Sequence, residues 1–195
     1  MTGGDSLIEC LKAQGVRAIF GMPGTQNIRI YDSLCRRGGE VEHFLVRNEQ
    51  AATAMADGFA RVTGGEGVAL VVPGPGAAYG AGGMEEAMCD TSPVLLITGQ
   101  MNTEHLLRRH PSKLLHGLDL QKVFAPICKY CGMAMSLPEV PQVVEAAFRA
   151  MRNGRPGPTL LSFPRDIMEA EGEIFPPLPV TRQRQQNPRG PRGRR

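Results

Sequence analysis

Three runs in this chain are apolar at almost every consecutive position: "GVALVV" at 67–72, "PVLLIT" at 93–98 and "PTLLSFP" at 158–164. A strand with one wet face alternates apolar and polar residues, whereas a strand covered on both faces does not. Helix-length segments separate these runs, and crossovers of that size are what parallel strands need. The pattern predicts an α/β fold: a doubly wound, mostly parallel six-stranded sheet with helices on both faces.

The remaining elements follow from punctuation. Residues 5–14 carry Leu7, Ile8 and Leu11 at helical spacing and stop at Gly15. "RAIF" at 17–20 and "VEHFLV" at 41–46 read as strands, and 28–37 as a helix closed by Gly38-Gly39. Asn48 is placed as an N-cap for a helix over 49–63, which ends before Gly64-Gly65. Further helices are expected over roughly 77–89 and 139–153, while 99–118 resist assignment.

With 195 residues the chain can build one domain with a substantial core. Its net charge of +3 comes from the last 14 residues, which hold 6 arginines and no acid. The rest balances 16 bases against 19 acids, a charge of −3, and gives no support to nucleic-acid binding by the fold. Five scattered cysteines fit a reducing cytoplasm better than a disulfide framework. No apolar stretch approaches the roughly 18 residues of a membrane span, and the N-terminus lacks the pattern of a signal peptide.

Ligands in such sheets bind beyond the carboxyl ends of the strands. The turns placed there are "GMPGT" at 21–25, "RNEQ" at 47–50, "PGPGAAYG" at 73–80 and "TGQ" at 98–100. Gly74, Gly76 and Gly80 form GxGxxxG between a strand and a helix, which raises a Rossmann-type dinucleotide site as an alternative. Such a site wants an acid near the end of the next strand, and that strand ends Thr98-Gly99-Gln100. No P-loop motif occurs.

Glu49 has two readings. An acid in a first helical turn complements the helix dipole by about 0.3–1 kcal/mol. Yet this one follows apolar Phe44, Leu45 and Val46 and opens a helix of small residues: Ala51, Ala52, Ala54, Ala56, Gly58 and Ala60. A carboxyl held there would be poorly solvated, which favours its protonated form. Such a group suits sharing a proton with a ring nitrogen.

"FGMPGTQNIRIYDSL", "FLVRNEQAATAMADGFARVTG", "GVALVVPGPGA" and "DTSPVLLITGQ", in that order, resemble the N-terminal pyrimidine-binding domain of thiamine-diphosphate enzymes of the acetolactate synthase and pyruvate oxidase group. "NGRPGPTLLSFPRDI" resembles the closing strand of that domain. The likeness covers residues 3–170, so 1–170 is expected to be the thiamine-diphosphate-binding domain and 171–195 a linker with a disordered arginine-rich tail. It implies that Glu49 bonds N1′ of the cofactor's aminopyrimidine ring and controls its tautomer. It places Pro23, Gly24, Gly74, Pro75 and Gly76 against the cofactor, with Gln100 on the substrate side. A small 2-keto acid is the implied substrate.

The chain departs from the family in places. Its turn reads Pro73-Gly-Pro-Gly-Ala-Ala78-Tyr79 where the family often has hydroxyl and amide side chains. Leu115-His116-Gly117 stands where many acetolactate synthases have Phe-Gln-Glu. His116 is a candidate substrate-side acid–base group or a plain loop histidine. These departures bear on the acetolactate reaction more than on cofactor binding.

The family binds the diphosphate and Mg²⁺ through a second domain with a GDG…N-type motif, which this sequence lacks. Either the chain is a fragment cut before the middle domain, or it is a subunit that pairs with a separate diphosphate-binding chain or a second copy. FAD, if the parent enzyme uses it, would not come from this chain. A non-catalytic interaction protein of the same fold is the other functional reading.

Cys128-Lys-Tyr-Cys131 lacks the second pair that a zinc site wants and does not open a helix as a thioredoxin motif does. It is read as two core thiols. The basic segment "LLRRHPSKLLHG" at 106–117 is either a cover for the site or plain surface.

Overall fold

The computed structural model describes residues 1–39, 41–108 and 116–173. Six strands form one sheet: β1 Ala18–Gly21, β2 Glu42–Leu45, β3 Gly67–Val71, β4 Val94–Gln100, β5 Tyr130–Met133 and β6 Thr159–Pro164. The order is β2-β1-β3-β4-β6-β5, and every pairing is parallel. Among the described residues eight helices lie before, between and after them: α1 Gly3–Ala13, α2 Ile28–Arg37, α3 Glu49–Thr63, α4 Pro75–Cys89, α5 Thr103–Arg108, α6 Leu120–Phe124, α7 Glu139–Arg152 and α8 Arg165–Glu169.

The apolar strands now have their reason. Val68, Leu70, Leu95 and Ile97 pack against α1, α2 and α7 through Leu7, Ile8, Ile30, Leu34, Val144 and Phe148. Ala69, Val71, Val94 and Leu96 point the other way, onto Ala52, Ala56, Ala77, Met84, Leu120 and Phe124 of α3, α4 and α6. Consecutive strand residues face opposite sides, so a strand between two helical layers must be apolar at both. Each buried Val, Leu, Ile, Phe or Met among them contributes about 1.5–3 kcal/mol by leaving water.

The layer of α3 and α4 is thin because its residues are small. A Cβ on Gly83 would lie 2.8 Å from Thr53 Cβ and 3.0 Å from the Ala54 nitrogen, and one on Gly80 would lie 3.0 Å from Thr53 Cγ2. Bare backbone on α4 therefore lets α3 approach along its length.

Side chains fix the outer helices. Thr2 caps α1 through a reciprocal box with Asp5, and the buried Asp5 carboxylate pairs with Arg36 and Arg37 of α2, both at 3.0 Å. Arg152, at the end of α7, bonds Glu66 at 3.0 Å and the Gln14 side chain at 2.9 Å. Its guanidinium also lies 4.7 Å from the centre of the Phe148 ring. Lys129 Nζ donates to the carbonyls of Ala150, Asn153 and Arg155, and so closes the C-terminal end of α7. Glu171 forms an antiparallel bridge with Thr2; the arginine tail lies outside the described residues.

Candidate functional site

In sheets of this kind the crevice lies at the carboxyl edge, where the strand order reverses. Here β1 leads outward to β2, and the chain then returns to β3 on the other side of β1. Gly21 pairs with both Leu45 and Leu70, so β1, β2 and β3 end level. The three loops that follow them meet at one place.

The loop after β1 is held by Asn27, which is fully buried. Its Oδ1 accepts from the Gly24 backbone at 2.7 Å and its amide donates to the Met22 carbonyl at 3.2 Å. Gly24 is half-buried and Pro23 is exposed. The loop after β2 delivers Glu49 as the first residue of α3, with Asn48 Oδ1 accepting from the Gln50 backbone at 2.7 Å. The loop after β3 brings Gly74, Pro75 and Gly76 into the start of α4, with Pro75 at the first helical position.

Val72 joins two of these loops. Its Cγ1 fills the space a Cβ on Gly24 would take, and its Cγ2 does the same at Gly76. A Cβ on Gly76 would also lie 2.8 Å from Glu49 Oε1. The Glu49 carboxylate thus rests directly on the Gly76 backbone. Gly74 holds φ at +64°, a region open to glycine at little cost. A Cβ there would lie 2.7 Å from His116 Cα.

His116 therefore belongs to the same turn, with Glu49 against one of its glycines and the histidine against the other. His116 itself has φ of +58°, uncommon for a residue with a side chain. Its Nδ1 is buried and has no hydrogen-bond partner among the described residues. Residues 109–115, most of the basic loop before it, lie outside the described residues.

Gln100 ends β4 and is buried. Its Oε1 accepts from the Met101 backbone at 2.9 Å, so that oxygen is turned back to its own chain. Glu49 is half-buried, less enclosed than the apolar run before it suggests. The reason is that β2 lies at the sheet edge, where it has one neighbour, leaving Phe44 and Leu45 exposed. Phe44 still stacks on Phe20, with ring centres 5.1 Å apart.

The dinucleotide alternative fares poorly. Gly76 and Gly80 look toward Glu49 and Thr53 of α3. They serve close approach of a carboxylate and a helix rather than a pyrophosphate cradle. Asn27 and Val72 escaped the sequence reading. Asn27 stood three residues past a Gly-Met-Pro-Gly turn, a position where a side chain often ties its own loop. Val72 looked like one more strand residue.

A family model described as "Thiamine pyrophosphate enzyme, N-terminal TPP binding domain" matches residues 1–122. The chain belongs to the thiamine pyrophosphate enzyme family. An acetolactate synthase from Arthrospira platensis is 39% identical over 181 residues, covering 92% of this chain and 31% of that protein. The acetolactate synthase isozyme 2 large subunit of Escherichia coli K12 is 36% identical over 176 residues, 90% of this chain and 31% of that one. A probable acetolactate synthase large subunit from Methanocaldococcus jannaschii is 37% identical, with 89% of this chain and 28% of that one covered.

The chain thus spans about three-tenths of the length of the curated relatives it matches. It corresponds to the N-terminal domain that the thiamine pyrophosphate family model describes. Among the described residues no helix is long and apolar enough to cross a membrane. Nor does any group of three His, Cys, Asp or Glu side chains among them stand ready to hold a metal ion.

Proposed function

We propose that this domain holds the aminopyrimidine end of thiamine diphosphate at the turn shared by Glu49 and Gly76, as one half of a site that decarboxylates or ligates small 2-keto acids. The observation that carries the reading is the Glu49 carboxylate lying against bare backbone at the meeting point of three strand-end loops. The residues fit the group. A carboxyl can give or take a proton at a ring nitrogen, and the glycines at 24, 74 and 76 let Val72, His116 and the Glu49 carboxylate close on the turn. Pro23 and Pro75, both exposed at that edge, offer rigid apolar surface to a heterocycle.

When bound, thiamine diphosphate supplies the electron sink for decarboxylation. Glu49's part is to hold a proton at N1′ of the pyrimidine and so set the tautomer of its amino group. Gly76 positions that carboxyl by leaving it room, and Val72 backs the turn. His116, across Gly74, is the residue on this chain best placed to exchange a proton with a substrate. Gln100 lines the same edge through its backbone and its remaining amide.

On this reading the diphosphate and Mg²⁺ are gripped by a separate domain, either elsewhere in a longer polypeptide or on a partner chain. The relatives extend well beyond the matched region, which supports that division of labour. A second reading, a domain that keeps the family's contacts without turnover, is favoured by one feature. Ala78 and Tyr79 replace the polar pair common in the family's turn and are both exposed on α4.

Calorimetric titration of thiamine diphosphate with Mg²⁺ separates the two. The chain combined with a diphosphate-binding domain from a relative should take up the cofactor, and the chain alone should bind it weakly or not at all. Association of the two polypeptides with no cofactor uptake would favour the non-catalytic reading.

A further inference from the structure

The Cys128-Lys-Tyr-Cys131 motif lies at the start of β5, at the edge of the sheet opposite β2 and away from the cofactor turn. Residues three apart in a regular strand face opposite sides of a sheet. These two do not. Cys128 and Cys131 both pack into the layer formed by Leu120, Phe124 and Leu160, because the chain bends at Lys129 just before β5 begins. The bend is fixed from two directions: the Lys129 backbone donates to the Pro158 carbonyl at 2.8 Å, and its ammonium is tied to the end of α7. Tyr130 turns to the opposite face, where its ring covers Gly132.

The thiols differ in access. Cys128 is buried and Cys131 half-buried, on a strand at the sheet edge. We propose that Cys128 and Cys131 form a reversible intramolecular disulfide by exchange with a low-molecular-weight disulfide such as oxidised glutathione. Cys131 is the attacking thiol and Cys128 the resolving one.

The balance is simple. The Cys131 thiolate attacks one sulfur of the small disulfide; a protein–glutathione S–S bond forms and one glutathione thiolate leaves. Cys128 then loses its proton and attacks Cys131 Sγ, forming the internal S–S bond and expelling the second glutathione. Two protein thiols are oxidised and one small disulfide is reduced to two thiols.

The electrostatics agree with this order. The Cys131 thiol is held below its ordinary value because the Cys128 thiol hydrogen-bonds to it, which outweighs the effect of burial. Cys128 is pushed up by the same hydrogen bond and by burial. An attacking thiol benefits from being ionised and reachable, and Cys131 has both advantages.

The test uses the 195-residue chain with Cys10, Cys35 and Cys89 replaced by Ser, equilibrated in glutathione redox buffers, quenched with an alkylating agent and read by intact mass and peptide mapping. Circular dichroism checks that each variant is folded. Oxidation should remove both alkylation sites together, with loss of two hydrogens and no glutathione retained, and dithiothreitol should restore them. Cys128→Ser should stop at a single glutathione adduct on Cys131, whereas Cys131→Ser should leave Cys128 largely unmodified. Two thiols that stay free in every buffer would overturn the proposal. So would Cys128 taking the adduct as readily as Cys131, or a stable adduct in the parent chain.

Discussion

At the scale of single residues, the site turns on atoms that are missing. A methyl group on Gly76 would press on Val72 and come within 2.8 Å of the Glu49 carboxylate. Gly76→Ala should therefore lower stability by about 1–3 kcal/mol and also move Glu49. In the assembled protein, cofactor affinity should fall by more than an equally destabilising core change elsewhere, such as Phe148→Leu, would cause. Parallel thermal melts and calorimetric titrations of the two variants check this. Equal affinities would show that Gly76 acts through stability alone.

Asp5 makes a different residue-scale point. Burial raises its proton affinity, but hydrogen bonds from Ser33, the Thr2 backbone and Arg37, with the Arg36 charge, more than offset this and leave its pKa lowered. Glu139 is lowered by the Met135 backbone N–H and Ser136, and Glu169 by Arg165 and Arg29. A carboxylate depressed on folding contributes stability above its unfolded value, near 4 for these groups. That contribution is lost as pH falls through the folded value. The melting temperature should thus change little on this account above about pH 5 and fall on acidification. Asp5→Asn should make the acid limb shallower.

At the scale of elements, α7 depends on a lysine outside it. Lys129 meets three carbonyls in its last turn and just beyond it, where the helix's own ladder of hydrogen bonds runs out. Lys129→Met keeps the stem and removes the donors. It should cost about 1–3 kcal/mol, read as a lower denaturation midpoint with an unchanged slope.

Elements were legible in the sequence where their ends carried clear chemistry. α2 and α3 run over the residues expected, since glycine pairs close both and Asn48 opens the second. α1 begins two residues early because Thr2 and Asp5 cap a start made of glycines, and α4 begins at Pro75 because proline suits a first helical position. The short α5, α6 and α8 have too few turns to show a period. β5 has four residues, opens on a bend, and carries its place in the sheet through its pairing with β6 rather than through any pattern of its own.

At the scale of the whole molecule, a mostly parallel sheet with two helical layers was expected from the continuous apolar strands, and the sheet is parallel throughout; the order β2-β1-β3-β4-β6-β5 was not legible. Strand order depends on which crossovers fold back, and local sequence does not record that. The site was legible in part. Glu49 and the glycines of 74 and 76 were marked by a family resemblance, while the contact of His116 with Gly74 required the fold, since the two are far apart along the chain. A thiamine pyrophosphate enzyme N-terminal domain that spans three-tenths of its relatives would, on the function proposed above, hold one edge of a shared cofactor.

The central claim is that the Glu49 carboxyl controls the pyrimidine proton, and hydrogen–deuterium exchange at C2 of thiamine diphosphate measures it most directly. In the chain assembled with a diphosphate-binding domain and Mg²⁺, Glu49→Gln should slow that exchange by roughly 100-fold or more while the cofactor remains bound. An exchange rate equal to that of the unaltered protein, with the cofactor demonstrably in place, would contradict the account.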